Sequence, residues 1–267
     1  MAAFDLAVRQ DAGCVEHDLH ATKDGALVCL HDRTLERTTN VHEVFPRRGR
    51  DVRERGKVVR HWFVHDFTLR EIQQLDAGSW FQPEFAGARV PTFDDVLDWA
   101  RNRVALLTEL KDPDVYERLG ADLSVMCDSA LRRHDLTTHA SDGAVTVQSF
   151  HESTVRRAGE RFAGRVPVAL LVEPVDAARL CDREHITAIA RFASGIGPGK
   201  SIVADRPEIV RWAHEAGLRV TPWTFRTAMI GPFESVGAEM EHYLVDLGVD
   251  AVITDHPDAC PRDRRSA

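Results

Sequence analysis

The sequence predicts an α/β fold, a TIM (β/α)₈ barrel that lacks its first strand. Three observations lead there. Short apolar strands alternate with longer helical stretches along nearly the whole chain, a rhythm that implies parallel strands joined by crossover helices. The length of 267 residues suits one such domain, which commonly fills about 250 residues. Strand counting finds one strand fewer than the eight a closed barrel needs. Because the chain opens on a helix, the missing strand is expected upstream of Met1.

The elements follow in order. Ala2 to Gln10 reads as a helix and Cys14 to His20 as a strand, with Thr22-Lys23-Asp24-Gly25 a tight turn because Asp-Gly readily takes positive φ. Ala26 to Leu30 returns as a short strand. Arg33 to Arg89 breaks the rhythm, being rich in charge, aromatics and glycine. It reads as a small insertion (33–89) after the second barrel strand, where barrel enzymes place long loops over the active face. From Phe93 the rhythm is regular. Helices are expected over Phe93–Asn102, Asp114–His134, Glu152–Arg161, Asp176–Ala190, Arg206–Ala216 and Phe233–Leu247. Strands are expected over Val104–Glu109, Val145–Ser149, Val166–Val172, Ala193–Ile196, Arg219–Phe225 and Ala251–Thr254. Residues 1–260 form one barrel domain in this reading, and 261–267 a disordered basic tail.

Composition narrows the class. Hydrophobic residues are 43% and charged ones 28%, ordinary for a globular protein and unlike disorder or coiled coil. No apolar run approaches the roughly 18 residues of a membrane span. The start lacks the basic and apolar regions of a signal peptide, so a cytoplasmic chain is expected. A net charge of −8 argues against a nucleic-acid partner. Arg47-Arg48-Gly49-Arg50 and the tail Arg262, Arg264, Arg265 are local exceptions, read as a solvated loop and a frayed end. Five scattered cysteines suit reduced thiols. Cys14 and Cys29 sit in apolar strand patterns and read as small core residues.

Glu16 and Asp18 flank His17 on one strand, so period two points both carboxylates to one face and His17 to the other. Two inward carboxylates demand a neutralising cation, and all-oxygen ligands favour Mg²⁺ or Ca²⁺ over a paired structural network. Glu109 and Lys111 repeat the arrangement at a strand's C-terminal end, where Glu109 would be a third carboxylate ligand and Lys111 a point charge for a phosphate. An ordinary Glu–Lys ion pair is the plain alternative. His31 follows the second short strand, placed to act as general acid or base. Trp223-Thr224 could form an apolar wall for substrate or belong to the core. Asp255 and His256 cap a helix or line the mouth. Gly195, Gly197 and Gly199 weakly suggest a phosphate loop, without the dinucleotide spacing. His61 and His65 flank Trp62-Phe63-Val64, which reads as strand, and are structural or surface residues rather than a zinc pair.

Together these stretches resemble a known family. Val15-Glu16-His17-Asp18-Leu19, Thr22-Lys23-Asp24-Gly25, Leu30-His31-Asp32 and Leu35-Glu36-Arg37-Thr38-Thr39 are similar to the glycerophosphodiester phosphodiesterase signature. So are Phe67-Thr68-Leu69, Leu75-Asp76-Ala77-Gly78, Val90-Pro91-Thr92-Phe93, Glu109-Leu110-Lys111, Ser149-Phe150, Trp223-Thr224 and Asp250-Ala251-Val252-Ile253-Thr254-Asp255-His256-Pro257, in the family's order. The resemblance implies a TIM barrel and hydrolysis of small-molecule glycerophosphodiesters to glycerol 3-phosphate and an alcohol. It implies Ca²⁺ or Mg²⁺ held at Glu16, Asp18 and Glu109, His31 as one of a catalytic histidine pair, and Lys111 near the phosphate. No stable membrane association is expected.

The family also begins with a strand ending in His-Arg-Gly, for which this chain has no counterpart. The first catalytic histidine is therefore expected upstream of Met1, and the 267-residue chain is expected to be nearly inactive beside an extended form. Two alternatives are a remnant barrel that binds a cation or phosphodiester without turnover, and a lysophospholipase-D-like relative.

Overall fold

The computed structural model describes residues 1–137 and 144–261. The tail expected to be disordered lies, from residue 262, outside the described residues. Among the described residues, nine strands form two sheets. The larger has the order β2-β1-β5-β6-β7-β8-β9, built from β1 (Cys14–Ala21), β2 (Leu27–Cys29), β5 (Ala105–Leu110), β6 (Val145–Ser149), β7 (Val168–Val172), β8 (Gly195–Pro198) and β9 (Arg219–Val220). β6, β7, β8 and β9 run parallel, whereas β1 and β2 are an antiparallel hairpin with Leu19 opposite Cys29. The hairpin turn is the one read from the sequence: Thr22 N–H donates to the Ala26 carbonyl at 2.8 Å and the Thr22 hydroxyl to Asp24 at 2.6 Å.

The chain divides into two compact units. The first holds Met1–Glu16, Asn102–Leu107 and Leu136–Ala267. Its helix α1 spans Ala2–Arg9, and β6–β9 alternate with α7 (Glu152–Phe162), α8 (Ala177–Leu180), α9 (Arg183–Ile189), α10 (Lys200–Asp205), α11 (Glu208–Glu215) and α12 (Val236–Glu241). Its core is aliphatic from the inward residues of those strands, among them Val147, Leu170, Val172, Ile196 and Val220. The second holds His17–Arg101 and Thr108–Asp135. It carries α2 (Val41–Val44), α3 (Leu69–Ile72), α4 (Phe93–Ala100), α5 (Pro113–Arg118), α6 (Leu123–Arg133) and the small sheet of β3 (Arg50–Glu54) with β4 (Lys57–His61). Residues 33–89 build a core of their own from Leu35, Val41, Trp62, Val64, Phe67, Ile72 and Leu75, closed by Val28 and Val90.

Several boundaries differ from the sequence reading, each for a local reason. The helix expected over Asp114–His134 is two, because Gly120 takes φ +80° and Asp122 caps a new N-terminus through the Ser124 and Val125 amides. The helix expected over Asp176–Ala190 likewise breaks before Asp182, which caps α9. The strand expected over Arg219–Phe225 is regular only to Val220, since Pro222 has no N–H for the ladder. Ala251–Thr254 is no regular strand; a single parallel bridge joins Thr254 to Phe225. Trp62-Phe63-Val64 is not a strand either: β4 ends at His61 and Val64 opens a helical turn. Gly195 and Gly197 are strand residues, not a phosphate loop; a Cβ on Gly197 would lie 2.5 Å from Leu171 Cδ2, so packing explains it. Cys29 is buried as expected, whereas Cys14 is exposed.

Candidate active site

β1 alternates as its sequence requires. His17 is turned into the core, where its ring lies 5.6 Å from Phe93 and its Nε2 3.0 Å from the Thr108 hydroxyl. Glu16, Asp18 and His20 take the opposite face. The division between the units falls inside continuous strands, after Glu16 in β1 and after Leu107 in β5. Within the second unit, β5 brings Glu109 and the following Lys111 beside Asp18. Lys111 Nζ lies 3.1 Å from Glu109 Oε1 and 3.5 Å from Asp18 Oδ1. Glu16, two residues back along β1, adds a third carboxylate, and one oxygen from each of Glu16, Asp18 and Glu109 lies within 4.8 Å of the others.

The electrostatics call for added positive charge. Burial and the adjacent Asp18 push the Glu109 carboxyl up to about 7, against the pull of Lys111. Burial alone would lower Lys111, but Glu109 and Asp18 hold it above its ordinary value. One ammonium thus serves a crowded set of carboxylates. An all-oxygen donor set of this spacing and burial fits a hard divalent cation such as Ca²⁺ or Mg²⁺. Gln148, at the end of β6, donates its amide N–H to Glu16 at 3.1 Å and fixes that carboxylate.

His31 is tied to the same face of β1 through its backbone. The Leu30 amide donates to the Asp18 carbonyl at 3.1 Å, and His20 Nε2 lies 3.3 Å from the His31 carbonyl. His20 is wholly buried, with Nδ1 2.9 Å from the Tyr116 hydroxyl. The carbonyl can only accept, so Nε2 carries the hydrogen and Nδ1 accepts from Tyr116. Burial pulls His20 down to about 4, the His31 carbonyl opposing. The His31 side chain is 69% exposed, and its Nδ1 lies 2.8 Å from Asp32 Oδ1. Arg37 grips Asp32 from its other side with Nε and Nη2 and lies 5.8 Å over the Trp80 ring. Arg37 and His31 hold Asp32 down at about 2, against its partial burial.

Trp223, in the first unit, is half-buried, donates its indole N–H to the Gly197 carbonyl at 2.8 Å and meets Phe150 edge-on at 5.3 Å. Asp255 pairs with Arg226 at 3.5 Å and His256 Nε2 accepts from the Thr227 amide at 3.3 Å, so both fasten a loop. His61 bridges Glu36 and Glu54, and His65 faces Arg50. The sequence reading missed Gln148 and the His20–Tyr116 pair. Each meets a partner far along the chain, and a lone Gln or His on a strand carries no local signal.

Comparison with known proteins agrees with the geometry. The model of the glycerophosphoryl diester phosphodiesterase family matches residues 1–259. A glycerophosphodiester phosphodiesterase of Bacillus subtilis is 30% identical over 96% of this chain and 78% of its own. One from Caldanaerobacter subterraneus is 28% identical over 97% and 88%. The solved Agrobacterium tumefaciens enzyme superimposes with a TM-score of 0.69 at 25% identity, over 97% of this chain and 90% of its own. An Oleispira antarctica phosphodiesterase, solved with its product sn-glycerol-3-phosphate, shares the fold with a TM-score of 0.71 at 22% identity, over 96% and 87%. With the parallel α/β sheet and the acidic cluster in place, the chain belongs to the glycerophosphoryl diester phosphodiesterase family.

Proposed function

We propose that this protein hydrolyses soluble glycerophosphodiesters to glycerol 3-phosphate and an alcohol, using Ca²⁺ or Mg²⁺. The observation that carries the reading is the convergence of Glu16, Asp18 and Glu109 within 4.8 Å, with Lys111 against two of them. Phosphodiester cleavage needs charge neutralised on the phosphoryl oxygens, a nucleophile relieved of its proton and a leaving alkoxide protonated. A divalent cation held by the three carboxylates supplies Lewis-acid polarisation. Lys111 adds a half-buried positive charge to which a phosphate oxygen is drawn. His31 performs one of the two proton transfers. Asp32 accepts its Nδ1 hydrogen, which leaves Nε2 as the working nitrogen. Trp223 offers an apolar surface to the substrate's carbon skeleton.

The test is direct. Glycerophosphocholine is incubated with the protein and Ca²⁺ or Mg²⁺, and glycerol 3-phosphate is followed by a coupled dehydrogenase. Release that stops on chelation is expected, with lysophosphatidylcholine cleaved poorly; the opposite preference would favour the lysophospholipase reading. Calorimetry with the metal alone should show Glu109→Gln weakening Ca²⁺ or Mg²⁺ binding by about tenfold or more. Unchanged affinity in that variant, or release that persists unaltered under chelation, would overturn the assignment.

A further inference from the structure

The ribbon of β3 and β4 carries a charge opposite to that of the molecule. Residues 47–60 hold seven basic side chains (Arg47, Arg48, Arg50, Arg53, Arg55, Lys57, Arg60) against Asp51 and Glu54, in a chain whose net charge is −8. The inner end of the ribbon is fastened. Arg50 pairs with Asp66 at 2.7 Å and lies 4.7 Å over the Phe63 ring, while Arg48 pairs with Glu71 at 2.5 Å. The outer end is not. Arg53, Arg55 and Lys57, at and beside the turn, are exposed and have no ion-pair partner among the described residues. In an acidic protein, unpaired cations projected on a two-stranded ribbon point to a partner outside the molecule.

The register says what kind. Arg53 stands opposite Val58 and Asp51 opposite Arg60. One face of the ribbon therefore presents Val58, 65% exposed, with Arg53 opposite it, Arg55 at the turn and the Asp51–Arg60 ion pair (3.3 Å) on its inner side. An exposed apolar side chain beside unpaired cations at the ribbon's tip suits a membrane surface, where lipid phosphates meet the cations and a valine enters the headgroup layer. Nucleic acid would give that valine nothing to do, and Arg50–His61 contains no Phe, Tyr or Trp for base stacking.

We infer that the β3–β4 ribbon docks the protein, reversibly and salt-sensitively, on a membrane surface rich in anionic phospholipid. The inference stands on the ribbon alone and does not depend on the hydrolase reading. It is tested by co-sedimentation of the full chain with phosphatidylcholine vesicles, with and without phosphatidylglycerol, at low and high salt. Binding is expected only to the anionic vesicles and should be lost at high salt. Each basic residue near such a surface contributes about fivefold in partition, so Arg53→Glu with Lys57→Glu should lower it by more than about tenfold. Val58→Asn, which leaves the charge intact, should lower it more modestly. All three substitutions lie on exposed positions, and circular dichroism verifies the fold. Hydrolysis of soluble glycerophosphocholine should be unaffected. Equal binding to neutral vesicles, an unaltered double variant, or binding to duplex DNA without binding to vesicles would each overturn the inference.

Discussion

His31 exposes most of its ring, so its aim depends on Asp32, which Arg37 holds through two hydrogen bonds. Asp32→Asn keeps an acceptor but loses the charge that fixes the Nδ1–H tautomer. A fall in kcat of about 10- to 100-fold with little change in KM is expected, and ¹⁵N spectra of the imidazole should show mixed tautomers. Unchanged kcat would remove Asp32 from the mechanism. His17 and His20 give a second prediction. Burial holds His17 down at about 3, and His20 lies near 4. Their folded values lie below the unfolded value of about 6.5. The unfolded chain therefore binds more protons as pH falls below about 6.5, and stability is lost progressively from there towards the folded values. Each should cost about 2 kcal/mol between pH 7 and pH 5, read as a falling urea midpoint that His17→Gln with His20→Gln flattens. At this scale the faces of β1 were legible, because period two follows from chain geometry. The roles of Gln148 and Tyr116 were not, since each faces its partner more than ninety residues away.

Among the elements, α4 is the best advertised. Thr92 and Asp95 form a reciprocal capping box just where the helix was expected to begin. Thr92→Ala should cost about 1 kcal/mol in chemical denaturation. α7 shows the opposite case, a rule broken for packing. Gly159 is interior to the helix, and a Cβ there would stand 2.2 Å from the Phe192 carbonyl oxygen. Ala, normally the better helix former, should therefore destabilise by about 1–3 kcal/mol at this position; a neutral effect would mean the helix can shift. The long helices expected over Asp114–His134 and Asp176–Ala190 failed for a related reason. Apolar periodicity continues through a break, whereas Gly120 and the caps Asp122 and Asp182 mark it only once their backbone conformations are known. The strand expected to run to Phe225 loses its regularity at Pro222, and beyond it only isolated bridges at Trp223 and Phe225 continue the pairing.

On the scale of the whole molecule, alternation of strands and helices was enough to predict a largely parallel α/β sheet. What it left dark was residues 33–89, whose apolar residues follow neither period because they pack around short turns instead of regular faces. That segment has its own core, joined to the hairpin through Val28, with Leu30 packed against it. The backbone just after His31 is held by the segment, through Leu35 N–H to the Trp62 carbonyl at 2.9 Å and Val64 N–H to the Arg33 carbonyl at 3.0 Å. A core of this size can open without the parallel strands unfolding. In amide hydrogen exchange, Leu35 and Val64 should then lose protection at lower denaturant than Val147 or Leu170, and catalysis should fade with the first pair. The proton-transfer residue would thus be mounted on a part of the protein that melts before its scaffold does.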